Sequence, residues 1–329
     1  MPKIRAPRKS SLQFWPRVRA KRMYARIRTL PKSKDAKPSS FAGYKSGMTH
    51  LIVVDNRSYT LTKGEEIAVP VTILECPPIK VASIRAYKQA PQGLVVATEV
   101  LSTTDKNLGR KITIPKKTQD SKIDDLEKNI SSYSQIRLNV YTQPHLSAIA
   151  KRTPEYFELG LGGSVEDQIK FAKDKLGKEI RLSDVFKEGE QIDTFAVTKG
   201  KGFQGPVKRH GVSLRQHKSE KSIRGPANVG SWTGNRSWTV AHAGQMGFHQ
   251  RMERNKWILK ISDKPDEVKI SGGFIRYGNP KSTIMIVKGS VQGAKKRLVR
   301  FTASSRPSRK IPHQAPSIEL VSLHSQQGN

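Results

Sequence analysis

A glycine-rich segment supplies the first candidate for chemistry in this 329-residue chain. Residues 200–205 (GKGFQG) match the pattern GxGxxG, and Glu220 follows at about the distance at which dinucleotide-binding folds carry a ribose-binding acid. Such a fold also needs a helix that starts at this turn and points its N-terminus at the pyrophosphate. Pro206 and Gly211 follow instead, without helical periodicity. The pattern therefore favours a Gly/Lys loop whose amides and lysines approach a phosphate backbone.

Cysteine and histidine are the next candidates for catalysis or metal binding. Cys76 is the only cysteine, which excludes an intramolecular disulfide and a cysteine-rich zinc site, and it is predicted to be a small buried side chain. His242 and His249 are followed by Glu253, but the seven-residue spacing matches no common zinc pattern. These histidines are interpreted as structural or as hydrogen-bonding groups for nucleotides. Neither a P-loop pattern nor a GxSxG turn occurs, so no enzyme is predicted.

Lysine and arginine dominate the charge, and their distribution is uneven. The chain has 60 of them against 27 aspartates and glutamates, a net charge of +33. The bases outnumber the acids thirteen to one in residues 1–40 and thirteen to two in 199–260; residues 268–318 hold no acid, whereas 91–190 hold sixteen bases and fifteen acids. Phosphate backbones release counterions when such charge neutralises them, so three segments are predicted to face a polyanion. No run of 18 apolar residues occurs, so no membrane span is expected.

Short β-like runs must position these segments. Runs of strand length that are rich in β-branched residues lie at 51–54, 67–74, 81–87, 94–101, 191–198, 257–261, 284–287 and 298–302. Many short strands with glycine-rich turns indicate a small barrel or a sandwich. Pro70 is expected at a sheet edge or a bulge. Helices are predicted to begin at Ser121 and at Ser164, the second with a stop at Gly177, inside an α/β insertion at about 91–185.

Aromatic residues within the basic segments leave two interpretations open. Phe14, Trp15 and Tyr24 lie among the arginines of the N-terminal arm, where they either stack on nucleotides or dock the arm on the domain. Residues 199–256 are rich in glycine and follow neither the helical nor the strand period, and Trp232 and Trp238 lie in their middle. Such a segment is predicted to be a long arm that folds against a charged partner.

Five sequence blocks, taken in order, resemble those of one known family. They are FAGYKSGMTH at 41–50, VPVTILECPP at 69–78, VTKGKGFQGPVKR at 197–209, AGQMGFHQR at 243–251 and VKGSVQG at 287–293. The chain resembles the universal large-subunit ribosomal protein L-three family, and its length and neutral insertion are similar to the archaeal form. The resemblance implies a translation-protein-type Greek-key β-barrel with long basic extensions, bound to large-subunit rRNA.

The same resemblance gives the central loop a role. In the family this loop reaches through rRNA toward the peptidyl transferase centre and carries a tryptophan near its tip, a place that Trp232 occupies here. Gly234 stands where relatives are expected to carry a proline.

The resulting prediction is a mainly-β protein with an α/β insertion, a structural constituent of the large ribosomal subunit in the cytoplasm that supports subunit assembly. Its division is a basic N-terminal arm at 1–40, a β-barrel from 41–90, 186–198 and 257–305, the α/β insertion at 91–185, a long basic Gly-rich loop with a Trp tip at 199–256, and a C-terminal tail at 306–329. Two alternatives stay open: a general nucleic-acid-binding or DNA-compacting protein, and an rRNA-modifying enzyme with a cofactor site.

The predicted partners are large-subunit (23S-type) rRNA and neighbouring ribosomal proteins, with no membrane and no small-molecule substrate. No cofactor is predicted, apart from structural Mg²⁺ bridging the protein to rRNA. The residues predicted to bind rRNA are Arg8, Lys9, Arg17, Arg19, Lys21, Arg22, Lys199, Lys201, Lys208, Arg209, Arg215, Lys218, Arg224, Trp232, Arg236, Trp238, His242, Gln245, His249, Arg251 and Arg254.

Overall fold

The computed structural model describes residues 9–31, 33, 35–102, 105–115, 121–218, 222–226 and 240–325. The chain divides into two compact units: Met1–Met23 with Val197–Arg251, called the basic unit below, and Tyr24–Ala196 with Met252–Asn329, called the main unit. No helix within the described ranges is long and apolar enough to cross a membrane.

Strands outnumber helices among these residues. The strands are β1 (Ser40–Val54), β2 (Glu66–Glu75), β3 (Ile79–Ala90), β4 (Gly93–Leu101), β5 (Gln135–Thr142), β6 (Tyr156–Gly160), β7 (Glu179–Ile180), β8 (Gln191–Val197), β9 (Phe203–Gln204), β10 (Gly244–Gln245), β11 (Gln250–Ser262), β12 (Ile284–Lys288), β13 (Leu298–Ala303) and β14 (Ile318–Val321). The α-helices are α1 (Lys106–Gly109), α2 (Ser121–Lys128), α3 (Val165–Lys175) and α4 (Pro206–His210). The predicted mainly-β class is confirmed.

One sheet of the main unit closes on itself. Its seven strands run in the order β13-β8-β11-β12-β2-β1-β14. β1 also pairs with β13, from Ser40 opposite Thr302 to Tyr44 opposite Leu298, and pairs with β14 only near its own end. The path β13-β8-β11-β12-β2-β1 is therefore a closed ring of six strands. Greek-key connectivity of the translation-protein type stays a prediction.

Close packing explains the small residues of the block at 41–50. A Cβ at Gly47 would overlap the ring of Phe274, which is buried in the core. Phe41 contacts Phe301 with ring centroids 6.0 Å apart, and Phe301 contacts Phe186 at 5.9 Å. Tilted aromatic pairs at this separation add packing energy to the burial of their area, so this block contributes directly to the core.

Buried polar groups at the end of β2 connect three segments of the main unit. Glu75 is fully buried, and it accepts hydrogen bonds from the Tyr277 hydroxyl, from the Lys281 amide at 2.6 Å and from the Ala148 amide at 3.2 Å. Burial, together with the Glu75 carboxylate, raises the pKa of Tyr277 far above its usual range, so Tyr277 stays a donor. Cys76 beside it is buried as predicted, and burial raises the pKa of its thiol.

A second sheet, called the insertion sheet below, has the order β4-β3-β5-β6, with β7 paired to β3. β3 includes residues that the sequence division assigns to the barrel, but it pairs here with β4 and β5. Arg85 forms ion pairs with Glu99 at 2.7 Å and with Glu158, and Arg137 reaches Glu158 at 3.1 Å. Arg85 and Arg137 are therefore neutralised by carboxylates of the same sheet.

The predicted local elements of the insertion are confirmed. α2 begins at Ser121, and α3 follows Ser164, whose hydroxyl accepts the Asp167 N–H at 3.3 Å. Gly177, with φ +72°, lies just beyond the end of α3. Each of the eight predicted strands falls within a strand of the structure to within one residue.

The prediction that Pro70 lies at a sheet edge or a bulge is wrong, since β2 lies between β12 and β1. Pro70 pairs with His50 of β1, and its carbonyl oxygen accepts the Gly289 N–H at 2.7 Å. The register between β12 and β2 ends with Lys288 opposite Val71, the residue that follows Pro70. Pro70 therefore occupies a position at which β12 no longer requires an N–H donor.

Candidate nucleic-acid interface

The basic unit concentrates the positive charge of the chain. Its two segments, 1–23 and 197–251, contain eighteen lysines and arginines, and their single acid is Glu220. None of the ion pairs between described residues lies in this unit, whereas the main unit contains all thirteen of them. Such a surface attracts a polyanion.

The two limbs of the central loop pair with each other at their base. The Phe248 N–H donates to the Lys199 carbonyl at 3.2 Å, the Lys201 N–H donates to Met246 at 3.0 Å, and β9 then pairs with β10. Gly247 has φ +73°, and a Cβ there would overlap the Lys199 carbonyl oxygen. Only glycine fits at this position, which gives a structural reason for the glycine in the block at 243–251.

A short helix follows this paired base, which corrects the sequence-based expectation of no helix after residue 205. α4 begins at Pro206 and ends at His210, and Gly211 with φ +66° terminates it. Proline is favourable at the first helical position because no hydrogen bond is required of its nitrogen there. The five-residue length leaves too few residues for a periodic pattern, and a dinucleotide fold needs a much longer helix.

The N-terminal arm packs on the loop within the same unit. Ala20 donates its N–H to the Phe248 carbonyl at 2.8 Å. The Trp15 ring stacks parallel to the His210 ring, with centroids 5.9 Å apart, and the Arg251 guanidinium lies 4.9 Å from the centre of the Phe14 ring. For Trp15, the structure favours docking of the arm over stacking on a nucleotide.

Tyr24, the third aromatic residue of the arm, belongs to the main unit. Its side chain is buried, its hydroxyl donates to the Tyr156 carbonyl at 2.8 Å, and its ring lies 6.0 Å from that of Phe157. Docking is therefore favoured for Tyr24 as well.

His249 is a structural group of the basic unit. It is 7% exposed, and its Nδ1 lies 2.8 Å from the Val18 carbonyl oxygen, which can only accept, so Nδ1 carries the proton. Burial lowers the pKa of His249, and the positive charge of Arg251 acts in the same direction. A neutral His249 thus holds the arm to the loop, and no cluster of His, Cys, Asp or Glu among the described residues could hold a metal ion.

Arg209 also serves the loop itself. Its Nε donates to the Gln245 carbonyl at 3.0 Å, and its Nη1 donates to the His242 carbonyl at 3.0 Å. Burial lowers the pKa of Arg209, and the nearby charge of Arg17 acts in the same direction. Partly buried cations of like charge are thus held close together, an arrangement that an anion would stabilise.

The other residues predicted to bind rRNA are grouped by unit and by exposure to solvent. The exposed ones in the basic unit are Lys9, Arg19, Lys21, Arg22, Lys199, Lys201, Lys208, Arg215, Lys218, Arg224 and His242. Arg17, Arg209, Gln245 and Arg251 are half-buried, and Arg254 is exposed on β11 in the main unit. Arg8, Trp232, Arg236 and Trp238 lie outside the described residues. The assignment of all these residues to rRNA binding stays a prediction.

Phe203 belongs with the exposed bases, although the sequence-based selection does not include it. Its side chain is 77% exposed on β9, two residues after Lys201. An exposed aromatic ring beside lysines can stack on an unpaired base. The sequence could have indicated this residue, because Phe203 is an aromatic residue in a segment rich in glycine and lysine.

Comparison with known proteins identifies the family. The family model of ribosomal protein L3 matches residues 1–328. The chain is 44% identical to the large ribosomal subunit protein uL3 of Archaeoglobus fulgidus over 99% of both chains. It is 43% identical to uL3 of Methanothermobacter thermautotrophicus and 45% identical to uL3 of Methanosphaera stadtmanae, each over 98% of both chains. A match of this extent shows that the chain belongs to the ribosomal protein L3 family.

Proposed function

We propose that this chain is a structural protein of the large subunit of the cytoplasmic ribosome, and that it binds large-subunit rRNA directly through its basic unit. The observation that carries the proposal is the compact unit in which eighteen bases accompany one acid and whose described surface bears exposed lysines and arginines. Exposed lysines and arginines bind phosphates and release the counterions that the phosphates hold. Membership of the L3 family supports the ribosomal location, and no catalytic step is assigned to the protein.

In the basic unit, some side chains hold the loop and the arm together and others are exposed to solvent, and this arrangement supports recognition of RNA shape. Arg209 and His249 hold loop and arm together, so the exposed bases project from a folded platform and not from independent chains. Fixed spacing between cations favours a particular arrangement of phosphates, which is how RNA is recognised largely by shape and backbone. Phe203 adds an exposed ring for an unpaired base.

A binding competition tests the proposal. The purified full chain is mixed with archaeal large-subunit rRNA and with duplex DNA of similar length, and affinity is measured at several salt concentrations. Preference for rRNA that persists as salt rises supports the proposal, since shape adds to charge. Equal affinity for both would favour a DNA-compacting protein, and binding of S-adenosylmethionine would favour an rRNA-modifying enzyme.

The proposed support of the peptidyl transferase region concerns the tip of the central loop. Trp232→Ala subunits should contain the protein at normal occupancy but form peptide bonds more slowly in a single-turnover assay. Loss of the protein from the subunits would instead give Trp232 a role in stability.

A further inference from the structure

The connection between β1 and β2, called the Asp55 loop below and formed by residues 55–65, is braced by one buried carboxylate. Asp55 accepts hydrogen bonds from the Arg57 guanidinium at 2.7 Å, from the Thr60 hydroxyl at 2.9 Å and from the Thr62 hydroxyl at 2.7 Å. The Asp55 N–H donates to the Glu65 carbonyl at 3.0 Å, which joins the two ends of the loop. Arg57 holds the pKa of Asp55 far below its usual range, so the carboxylate stays ionised and the loop stays closed.

This bracing determines which side chains face solvent. Because Thr60 and Thr62 turn inward to the carboxylate, the alternate residues point outward. Tyr59 is 84% exposed, and Leu61 is fully exposed. A preformed loop that displays an aromatic and an aliphatic side chain loses little conformational entropy on binding, and tyrosine is enriched among residues that dominate protein interfaces.

Exposed acidic residues in and beside the loop outnumber its one exposed base, Lys63, in contrast to the net charge of the whole chain. Glu65 and Glu66 are exposed, and Glu66 pairs with Val54 at the end of β1. Glu319 is exposed on β14, which pairs with β1 at Ile52 and Val53. The charge of Arg57 is neutralised by Asp55, as described above. Three exposed acids against one exposed base give this rim a net negative charge, which repels phosphate and attracts basic side chains.

We infer that the Asp55 loop is a docking site for another protein of the large subunit, one that offers an apolar pocket to Tyr59 and Leu61 and a basic rim to Glu65, Glu66 and Glu319. The inference rests on the proposed function for the location of the chain, and it names a part of the described surface where the contact is to protein and not to RNA. The ring and the leucine fill the pocket, and the acids select a basic partner over rRNA.

Site-specific photo-crosslinking in assembled subunits tests this. The chain carries Tyr59→p-benzoylphenylalanine or, in a second variant, Leu61→p-benzoylphenylalanine, and Phe203→p-benzoylphenylalanine is the matched control on an exposed ring of the basic unit. Large subunits that contain each variant are purified, irradiated and treated with ribonuclease. Crosslinked products are separated by size and identified by mass spectrometry.

Positions 59 and 61 should each crosslink to the same second protein in a ribonuclease-resistant product, whereas position 203 should crosslink to RNA. A ribonuclease-sensitive product at 59 and 61, or no product in subunits that contain the variant, overturns the docking site and leaves the proposed function intact. Protein crosslinks at 203 would count against the rRNA interface alone. Failure of the unaltered chain to enter subunits would overturn both.

Discussion

The basic unit and the insertion sheet use lysine and arginine in opposite ways. In residues 80–178, eight of the thirteen ion pairs between described residues join bases to carboxylates of the same segment. In the basic unit no ion pair occurs among the described residues, and arginines there approach aromatic rings and carbonyl oxygens instead. A base with an internal carboxylate stabilises the fold, and a base without one is available to a partner. The comparison therefore separates cations that stabilise the fold from cations for which we propose rRNA binding.

The largest expected effect comes from removing charge from the basic unit. Replacement of Lys199, Lys201 and Lys208 by glutamine should weaken rRNA binding by about 100-fold near 0.1 M salt. Each lost phosphate contact lowers the slope of log affinity against log salt by about 0.7–0.9, so the slope should fall by about 2 to 3. Filter binding at several salt concentrations measures both quantities.

The matched control removes three exposed lysines from the insertion, Lys170, Lys173 and Lys178. Its affinity and salt slope should match those of the unaltered chain. Equal losses in both triple variants would break the comparison, because charge would then act through the net total and not through its location.

Gly247→Ala should open the base of the central loop. Its φ of +73° is unfavourable for alanine, and the added Cβ overlaps the Lys199 carbonyl oxygen, so the paired limbs should lose about 2 kcal/mol of local stability. Hydrogen exchange at the Lys201 and Met246 amides measures this opening. Gly205→Ala is the control, because its φ is −68° and open space surrounds the position. If these two amides were as well protected from exchange in Gly247→Ala as in the unaltered chain, the described fold of the basic unit would be contradicted.

Arg85→Met should lower stability without changing rRNA affinity, which is the reverse of the effect expected for the triple lysine variant. It leaves Glu99 and Glu158 without their shared cation and should lower the free energy of unfolding by about 1.5 kcal/mol, a moderate value because these groups are partly exposed. Affinity for rRNA should not change. Urea denaturation and filter binding test the two statements, with Arg110→Met as an exposed control from the same insertion. A loss of rRNA affinity in Arg85→Met would contradict the distinction between bases that stabilise the insertion sheet and bases of the basic unit that are proposed to bind rRNA.

The smallest expected effect is that of pH on stability. The pH range in which stability is lost differs between the basic unit and the insertion sheet. Burial lowers the pKa of His210 and His249 below the ordinary 6.5, so the unfolded basic unit binds more protons and stability falls as pH drops below about 6.5. Burial raises the pKa of Glu99 and Glu158, but hydrogen bonds and ion pairs outweigh it and lower both pKa values below 4.5. The insertion sheet therefore loses stability only below about pH 4.5. Hydrogen exchange at pH 7.5, 5.5 and 4, corrected for intrinsic rates, should therefore show the basic unit opening first. Simultaneous loss of protection would refute the assignment of neutral histidines.

Much of the fold could be predicted from local pattern. β-branched runs identify the strands, Ser121 and Ser164 identify the starts of two helices, and the charge counts separate the neutral insertion from the basic segments. Each of these signals lies within a few residues of the feature it specifies.

The rest depends on contacts between distant residues. Nothing near Ala20 indicates that its amide bonds to Phe248, and nothing near Glu75 indicates that donors from residues 148 and 281 converge on it. Residue type also does not reveal which groups a side chain contacts. Arg209 is of a type that commonly binds phosphate, yet its guanidinium donates hydrogen bonds to carbonyl oxygens of its own loop. Sequence therefore identified the charged segments but could not separate the bases that build the platform from those exposed on it.

The pairing of β1 with β13 over five residues has a consequence for the chain before it meets any partner. An open sheet presents unpaired amides and carbonyls along its edges, and such edges recruit further chains into aggregates. Closure of six strands into a ring leaves the four-residue β14 as the free edge of the larger sheet, which is too short to template extensive pairing. Those few ladder positions therefore protect the larger sheet against edge-to-edge association between copies of the chain.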